Sequence, residues 1–225
     1  MIYTITSVEQ DAKQHRRYHI YMNNGSEPLL SVHEDLLIRH RLFKSLELTE
    51  AAIKNIQAED NQYKAYAMAI NYLGFRPRTS KEIERYLQRK EIEPEPIAYA
   101  IERLEQERLI DDEDYARRFA ESRLRSGGKG RLMIKQELQM RGVDKQTADA
   151  ASRDLGREAE QAVADQAAVK KWRSMTGEIY DKRRKLAQFL LRRGFPMDVA
   201  MQAVKHASAD NGNAPDDEEL GWLDN

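Results

Sequence analysis

The apolar positions of this chain change period near residue 60. Before that point "IYTITSV" (residues 2–8) and "YHIYM" (18–22) are β-branched and aromatic in alternation, and "PLLSV" (28–32) extends the pattern. Such runs predict strands of a small sheet, with Asn24-Gly25 supplying the positive φ of a tight turn after the second strand. Ser31-Val32-His33-Glu34 has the form of a capping box and predicts a short helix through Leu37 and Ile38. A second short helix is predicted from Thr49, with Ala52, Ile53 and Ile56 on one face.

From about residue 60 to 208 the spacing is helical. Tyr63, Ala67, Ile70 and Leu73 form a first stripe, which ends ahead of Pro77 because the residue before a proline avoids helical geometry. Thr79-Ser80-Lys81-Glu82 is a capping box opening a second helix on Ile83 and Leu87. Pro94 and Pro96 stand at the mouth of a third, striped by Ile97, Ala100, Ile101 and Leu104. This passage then recurs. Ile83, Ile134 and Leu186 fall in register at steps of 51 and 52 residues. So do Leu87, Leu138 and Leu190, then Ile92, Val143 and Phe195, then Ala100, Ala151 and Ala203. Tyr115, Phe119 and Leu124 are inward-facing candidates of the second copy, and Gly142 and Gly194 hold equivalent helix stops.

The fold class expected is mainly α. It consists of three tandem three-helix, helix-turn-helix-like repeats in an elongated curved row, behind a small N-terminal β extension. A unit of this size has too little interior to stand alone, so its neighbours are expected to stabilise it. The expected division is 1–57 for the β-strand and short-helix extension, then 58–109, 110–156 and 157–208 for the repeats. Residues 209–225, "ADNGNAPDDEELGWLDN", combine turn formers with one-sided charge and are expected to be a disordered acidic tail.

Composition narrows the function classes. Charged residues make up 33% of the chain and apolar ones 40%, with no cysteine, which excludes disulfides, thiolate metal sites and a cysteine nucleophile. The opening "MIYTITSVEQDAKQHRR" lacks the basic cap and apolar run of a signal peptide, and no apolar run is long enough to cross a bilayer. A cytoplasmic protein away from membranes is expected. Asp111, Asp112, Glu113 and Asp114 have the charge for a cation, but acidic residues at a helix start cap free amides and oppose the dipole. "SGGKG" around Lys129 lacks the spacing of a phosphate loop, although Lys129 and Arg131 beside a helix N-terminus could touch a phosphate. The five histidines show no metal spacing. No enzyme activity, cofactor or metal is expected.

The net charge of −1 conceals segregation. Residues 115–195 hold 20 basic residues against 10 acidic, while residues 47–114 hold 10 against 16. After Lys205 no Lys or Arg occurs, and Asp210, Asp216, Asp217, Glu218, Glu219 and Asp224 follow. Such asymmetry points to a half that faces a polyanion. The candidate basic surface comprises Arg76, Arg78, Arg117, Arg118, Arg125, Lys129, Arg131, Lys135, Lys182, Arg183, Arg184, Arg192 and Arg193. Four successive charges at 182–185 wrap around a helix, so only part of the set can face one ligand.

"AYAMAINYLGFRPRTSKEIERYLQRKEI" and "AIERLEQERLIDDEDYARRFAESRLRSGGKGRLMIKQELQMRGV" together resemble the RecX family, bacterial regulatory proteins that act on the RecA recombinase. The resemblance rests on Tyr72, Leu73, Arg76, Ser80, Leu87 and Lys90. It continues through Leu109, Asp111, Asp112, Tyr115 and Ala116, then Gly128, Lys129, Gly130, Leu138 and Gly142. It is strong over about 60–150 and looser to about 207. It implies all-helical three-helix units lying in the groove of the RecA–DNA filament. There they would limit strand exchange, ATPase and co-protease functions and so act in DNA repair and the SOS response. An extended row with no long heptad seam is expected to be a monomer. Asp111, Asp112, Tyr115, Gly128, Gly130, Gly142 and Gly194 are expected to be structural. The alternative is an independent helix-turn-helix protein reading DNA by itself. Against it, "KEIERYLQRK" carries two glutamates where a reader helix needs free base-contacting side chains.

Overall fold

A computed structural model describes residues 1–209, so the acidic tail lies outside the described residues. The chain divides into two compact units. One comprises residues 1–78 and 83–109, and the other joins residues 79–82 to those from 110 onward.

In the first unit the strands form one antiparallel sheet in the order β3-β2-β1-β4. They are β1 (Ile2–Gln10), β2 (Arg17–Met22), β3 (Leu30–His33) and β4 (Glu47–Thr49). The alternation read from the sequence turns Ile5, Ile20, Met22, Leu30 and Val32 inward, onto Leu36, Leu42, Ile53 and Ile56. Three details differ from expectation. The positive-φ residues after β2 are Asn23 and Asn24, not Asn24 and Gly25. The helix α1 (Glu34–Arg39) is capped by His33, whose ring accepts from the Asp35 amide, because Ser31 stays in β3 and accepts from the Arg17 Nε at 3.0 Å. Finally, the short helix expected from Thr49 is the start of α2 (Glu50–Leu73), 24 residues long and unbroken across residue 57.

The helix α2 serves two cores. Its first half puts Ile53 and Ile56 against the sheet, and Ala65 and Ala69 are fully buried further along, where it packs on α4 (Pro94–Gln106). Between them Asp60, only 3% exposed, accepts from the His33 amide at 2.9 Å and pairs with the Arg17 guanidinium. A carboxylate this buried is tolerable only because both oxygens have donors. The third member, α3 (Ser80–Gln88), buries Ile83 and Leu87, and its capping box is formed as expected. The Thr79 Oγ1 accepts from the Glu82 amide at 3.1 Å, and the Thr79 amide donates to the Glu82 carboxylate at 3.3 Å.

The second unit carries two more three-helix sets. The first is α5 (Asp112–Arg125), α6 (Arg131–Met140) and α7 (Lys145–Arg153). The second is α8 (Arg157–Arg173), α9 (Ile179–Arg192) and α10 (Met197–Ala209). The register read from the sequence is the register of the core. Ile83, Ile134, Leu186, Leu87, Leu138 and Leu190 are all fully buried. Val163 packs against the cores of both sets, so α5–α7 and α8–α10 share one boundary.

Candidate partner and nucleic-acid interface

The glycines of the "G-K-G" linker form a joint. The Gly130 amide donates to the Arg193 carbonyl and the Leu132 amide to the Gly194 carbonyl, both at 3.0 Å. A Cβ on Gly130 would collide with the Gly194 carbonyl, and one on Gly194 with Met133. Gly194 also has φ +83°, a left-handed geometry that favours glycine. The turn after α9 and the start of α6 therefore meet backbone to backbone. Gly142 has the same helix-stop role after α6, and a Cβ there would strike the Lys81 side chain. The Arg193 guanidinium closes the joint by donating to the Gly128 carbonyl at 3.2 Å.

The N-terminus of α6 is already occupied. Glu160 of α8, fully buried, accepts from the Arg131 amide at 2.8 Å and from its Nε at 2.6 Å. One carboxylate thus caps the helix and neutralises the side chain of its first residue. Arg131 leaves the candidate phosphate-binding set for this reason. Lys129 pairs with Glu137, which also faces Arg123 at 2.9 Å, and Lys135 pairs with Asp149. The Lys135 ammonium is the leading cause holding the Asp149 carboxyl below its ordinary range.

At the head of α5 the acidic run caps helices. The Asp111 carboxylate accepts from the Asp114 amide at 2.9 Å, and Asp112 accepts from the Ser80 amide at 2.9 Å. The Tyr115 hydroxyl accepts from Arg141, which also reaches Glu82 at 3.2 Å. Arg117 and Arg118 are both exposed and share the single carboxylate of Asp114. Arg125 is exposed at the end of α5.

The third set treats its cations differently. Arg183 is only 5% exposed and lies inside, so it leaves the candidate surface. It falls on the inward face of α9, three residues before the buried Leu186. Lys182 sits 4.1 Å over the Trp172 ring, and Arg193 4.7 Å over Phe189. Arg184 meets Asp181 at 3.2 Å, and Arg192 is exposed. In the first unit Arg78 stacks at 4.1 Å over Tyr72, itself stacked on Tyr86, while Arg76 is exposed. Sequence reading missed Lys171 as part of a surface, and Lys185, read within the basic run 182–185, was left out of the candidate set. With Arg192 they rim a cleft of about 350 Å³ floored by Met175 and Phe189. The basic last turn of α8, Lys170-Lys171-Trp172-Arg173, was the available signal.

No described helix is long and apolar enough to cross a membrane. Family models described as the first, second and third three-helix domains of RecX match residues 65–104, 111–151 and 158–204. The chain is 33% identical over 205 residues to the regulatory protein RecX of Oceanobacillus iheyensis, covering 89% of this chain and 75% of that protein. It is 30% identical over 224 residues to the one of Bacillus cytotoxicus, covering 98% and 83%. A crystal structure of regulatory protein RecX superposes with a TM-score of 0.71 at 29% identity, over 88% of this chain and 96% of the other. RecX from Lactobacillus salivarius gives 0.63 at 28%, over 67% and 99%. The chain belongs to the RecX family of regulatory proteins.

Proposed function

We propose that this chain is a non-enzymatic modulator of the RecA recombinase. It binds as a monomer along the RecA–DNA filament in the cytoplasm and limits its recombination, ATPase and co-protease functions. Membership of the family supports RecA as the target. The observation that carries the mode of binding is the set of exposed cations left over after internal pairing: Arg117 and Arg118 on one carboxylate, and Arg125, Lys171, Lys185 and Arg192. A filament of protein and phosphate is a long polyanion, and cations on successive units can engage it at several points.

The independent DNA reader is disfavoured by α6, its second-helix candidate. A reader helix needs free side chains for base edges, whereas Arg131 and Lys135 are tied to Glu160 and Asp149. The test is ATP hydrolysis by RecA on single-stranded DNA as this chain is titrated in. Hydrolysis is expected to fall in a saturable, salt-sensitive way. Unchanged hydrolysis at saturating chain would overturn the proposal, as would tight sequence-selective binding to duplex DNA in the absence of RecA.

A further inference from the structure

The cleft rimmed by Lys171, Lys185 and Arg192 combines two features. It has an apolar floor, Met175 and Phe189, and a rim of cations that form no ion pair among the described residues. Like charges gathered over an apolar cleft repel one another and gain from an acidic, partly apolar occupant.

The path of the chain supplies one. Helices α8 and α10 run parallel, as three contacts in ascending order establish. Arg157 pairs with Asp198, the Gln161 Nε2 donates to the Val199 carbonyl at 3.3 Å, and His206 meets Asp165 at 3.0 Å. One further turn of this ladder brings Ala209, the last described residue, beside Ala168 and Val169. Lys171 lies about 5 Å further along α8 at 1.5 Å per residue. The chain then continues through residues 210–225, which carry six acidic residues and no basic one, together with Leu220, Trp222 and Leu223. Sixteen residues can reach roughly 50 Å when extended, about twice the length of the 17-residue α8.

We propose that the basic cleft of the third three-helix set is an intramolecular docking site for the acidic C-terminal segment, residues 210–225. The segment's carboxylates meet Lys171, Lys185 and Arg192, and its Leu220–Leu223 stretch covers Met175 and Phe189. Because the segment is tethered at the same end of the three-helix set as Lys171, its effective concentration at the cleft is on the order of millimolar, so weak ion pairs suffice to hold it. An external polyanion must displace it. The tail thus acts as a built-in competitor that restricts the cleft to ligands of high charge density.

The test uses the full-length chain and a zero-length carbodiimide, which joins a carboxylate to an amine in contact with it. A mixture of ¹⁴N- and ¹⁵N-labelled protein separates links within a copy from links between copies. Links within one copy are expected from Asp216–Glu219 to Lys171 and Lys185, disappearing in about 0.5 M salt as exposed charges are screened. Links that are absent, that run only between copies, or that spread evenly to remote lysines such as Lys13 and Lys90 would overturn the proposal. As a second readout, the tail is neutralised by D210N, D216N, D217N, E218Q, E219Q and D224N. Acetylation of Lys171 and Lys185 is then expected to speed up at least threefold, with Lys13 and Lys90 unchanged. Equal rates would overturn it. Where the polyanion reading above also holds, the same variant binds a thirty-residue oligodeoxythymidylate about tenfold more tightly at low salt, the scale of one or two freed phosphate contacts. Links without that gain would uphold the docking and sink only the polyanion reading.

Discussion

The second and third three-helix sets carry nearly equal positive charge and place it in different company. Residues 110–156 contain ten Lys and Arg and residues 157–208 contain eleven. In the second set Arg123, Lys129, Arg131, Lys135 and Arg141 each face a carboxylate, usually one contributed by another helix. In the third, Lys171, Lys182 and Arg193 lie against aromatic rings. A ring face holds a cation in place without cancelling its charge, whereas a carboxylate cancels it. Charge counted along a sequence is therefore not charge offered to a ligand. The second set uses half of its cations as fastenings, and the third keeps more of them available.

The strongest challenge to that contrast is to remove a fastening. Glu160→Gln leaves Arg131 partly buried with a neutral partner and weakens the cap on α6. Taking away one member of a buried pair destabilises by about 3 kcal/mol or more, so urea unfolding should show a midpoint well below that of the parent. Far-UV circular dichroism of the folded variant should be unchanged. Loss of less than about 0.5 kcal/mol, the range of an ordinary surface substitution, would mean that the joint does not depend on this pair.

A smaller effect separates the two sets as ligand surfaces. Lys185→Gln with Arg192→Gln removes two exposed cations of the third set. On single-stranded DNA this should reduce the slope of log affinity against log salt by about 1.4, at roughly 0.7 per phosphate contact. Lys135→Gln with Lys129→Gln removes two cations that Asp149 and Glu137 already engage, and should change the slope by much less. Equal changes in the two doubles would dissolve the contrast.

The parts legible in the sequence were those governed by short-range period. The threefold register of Ile83, Ile134 and Leu186 and the capping box of Thr79 and Glu82 follow from local spacing, and the structure buries or bonds these residues as read. The box read at Ser31–Glu34 does not form, because Ser31 stays in β3 and bonds Arg17. What escaped depends on partners far along the chain. The sequence reads as a short helix from Thr49 and a separate helical spacing from about residue 60, yet α2 runs unbroken from Glu50 to Leu73, and Asp60 within it is held by Arg17, 43 residues earlier. The pairing of Arg131 with Glu160 spans 29 residues. No periodicity encodes either, so Arg131 read as a ligand contact when it is a seam. Arg183 was misplaced for a simpler reason. A run of four charges reads as surface, although a helix must turn one of them inward.

The finest probe of the contrast is pH. Asp149 has its folded-state pKa lowered, first by the hydrogen bond from Lys135 and then by the charges of Lys135, Arg153 and Lys145. A carboxyl whose pKa is lower folded than unfolded adds stability above its unfolded value, and that contribution disappears as pH falls through the folded value. The unfolded reference is 3.8, so the window lies below about pH 4. Lys135→Gln should therefore be slightly less stable than the parent at neutral pH, and the gap should close on acidification through that window. Lys185 has no ion pair among the described residues, so Lys185→Gln should show no such convergence. The measurement is paired urea unfolding of the two variants and the parent from pH 7 down to pH 3. A gap for Lys135→Gln that stays constant across the range would mean that Asp149 is not its working partner, and the second set would then resemble the third.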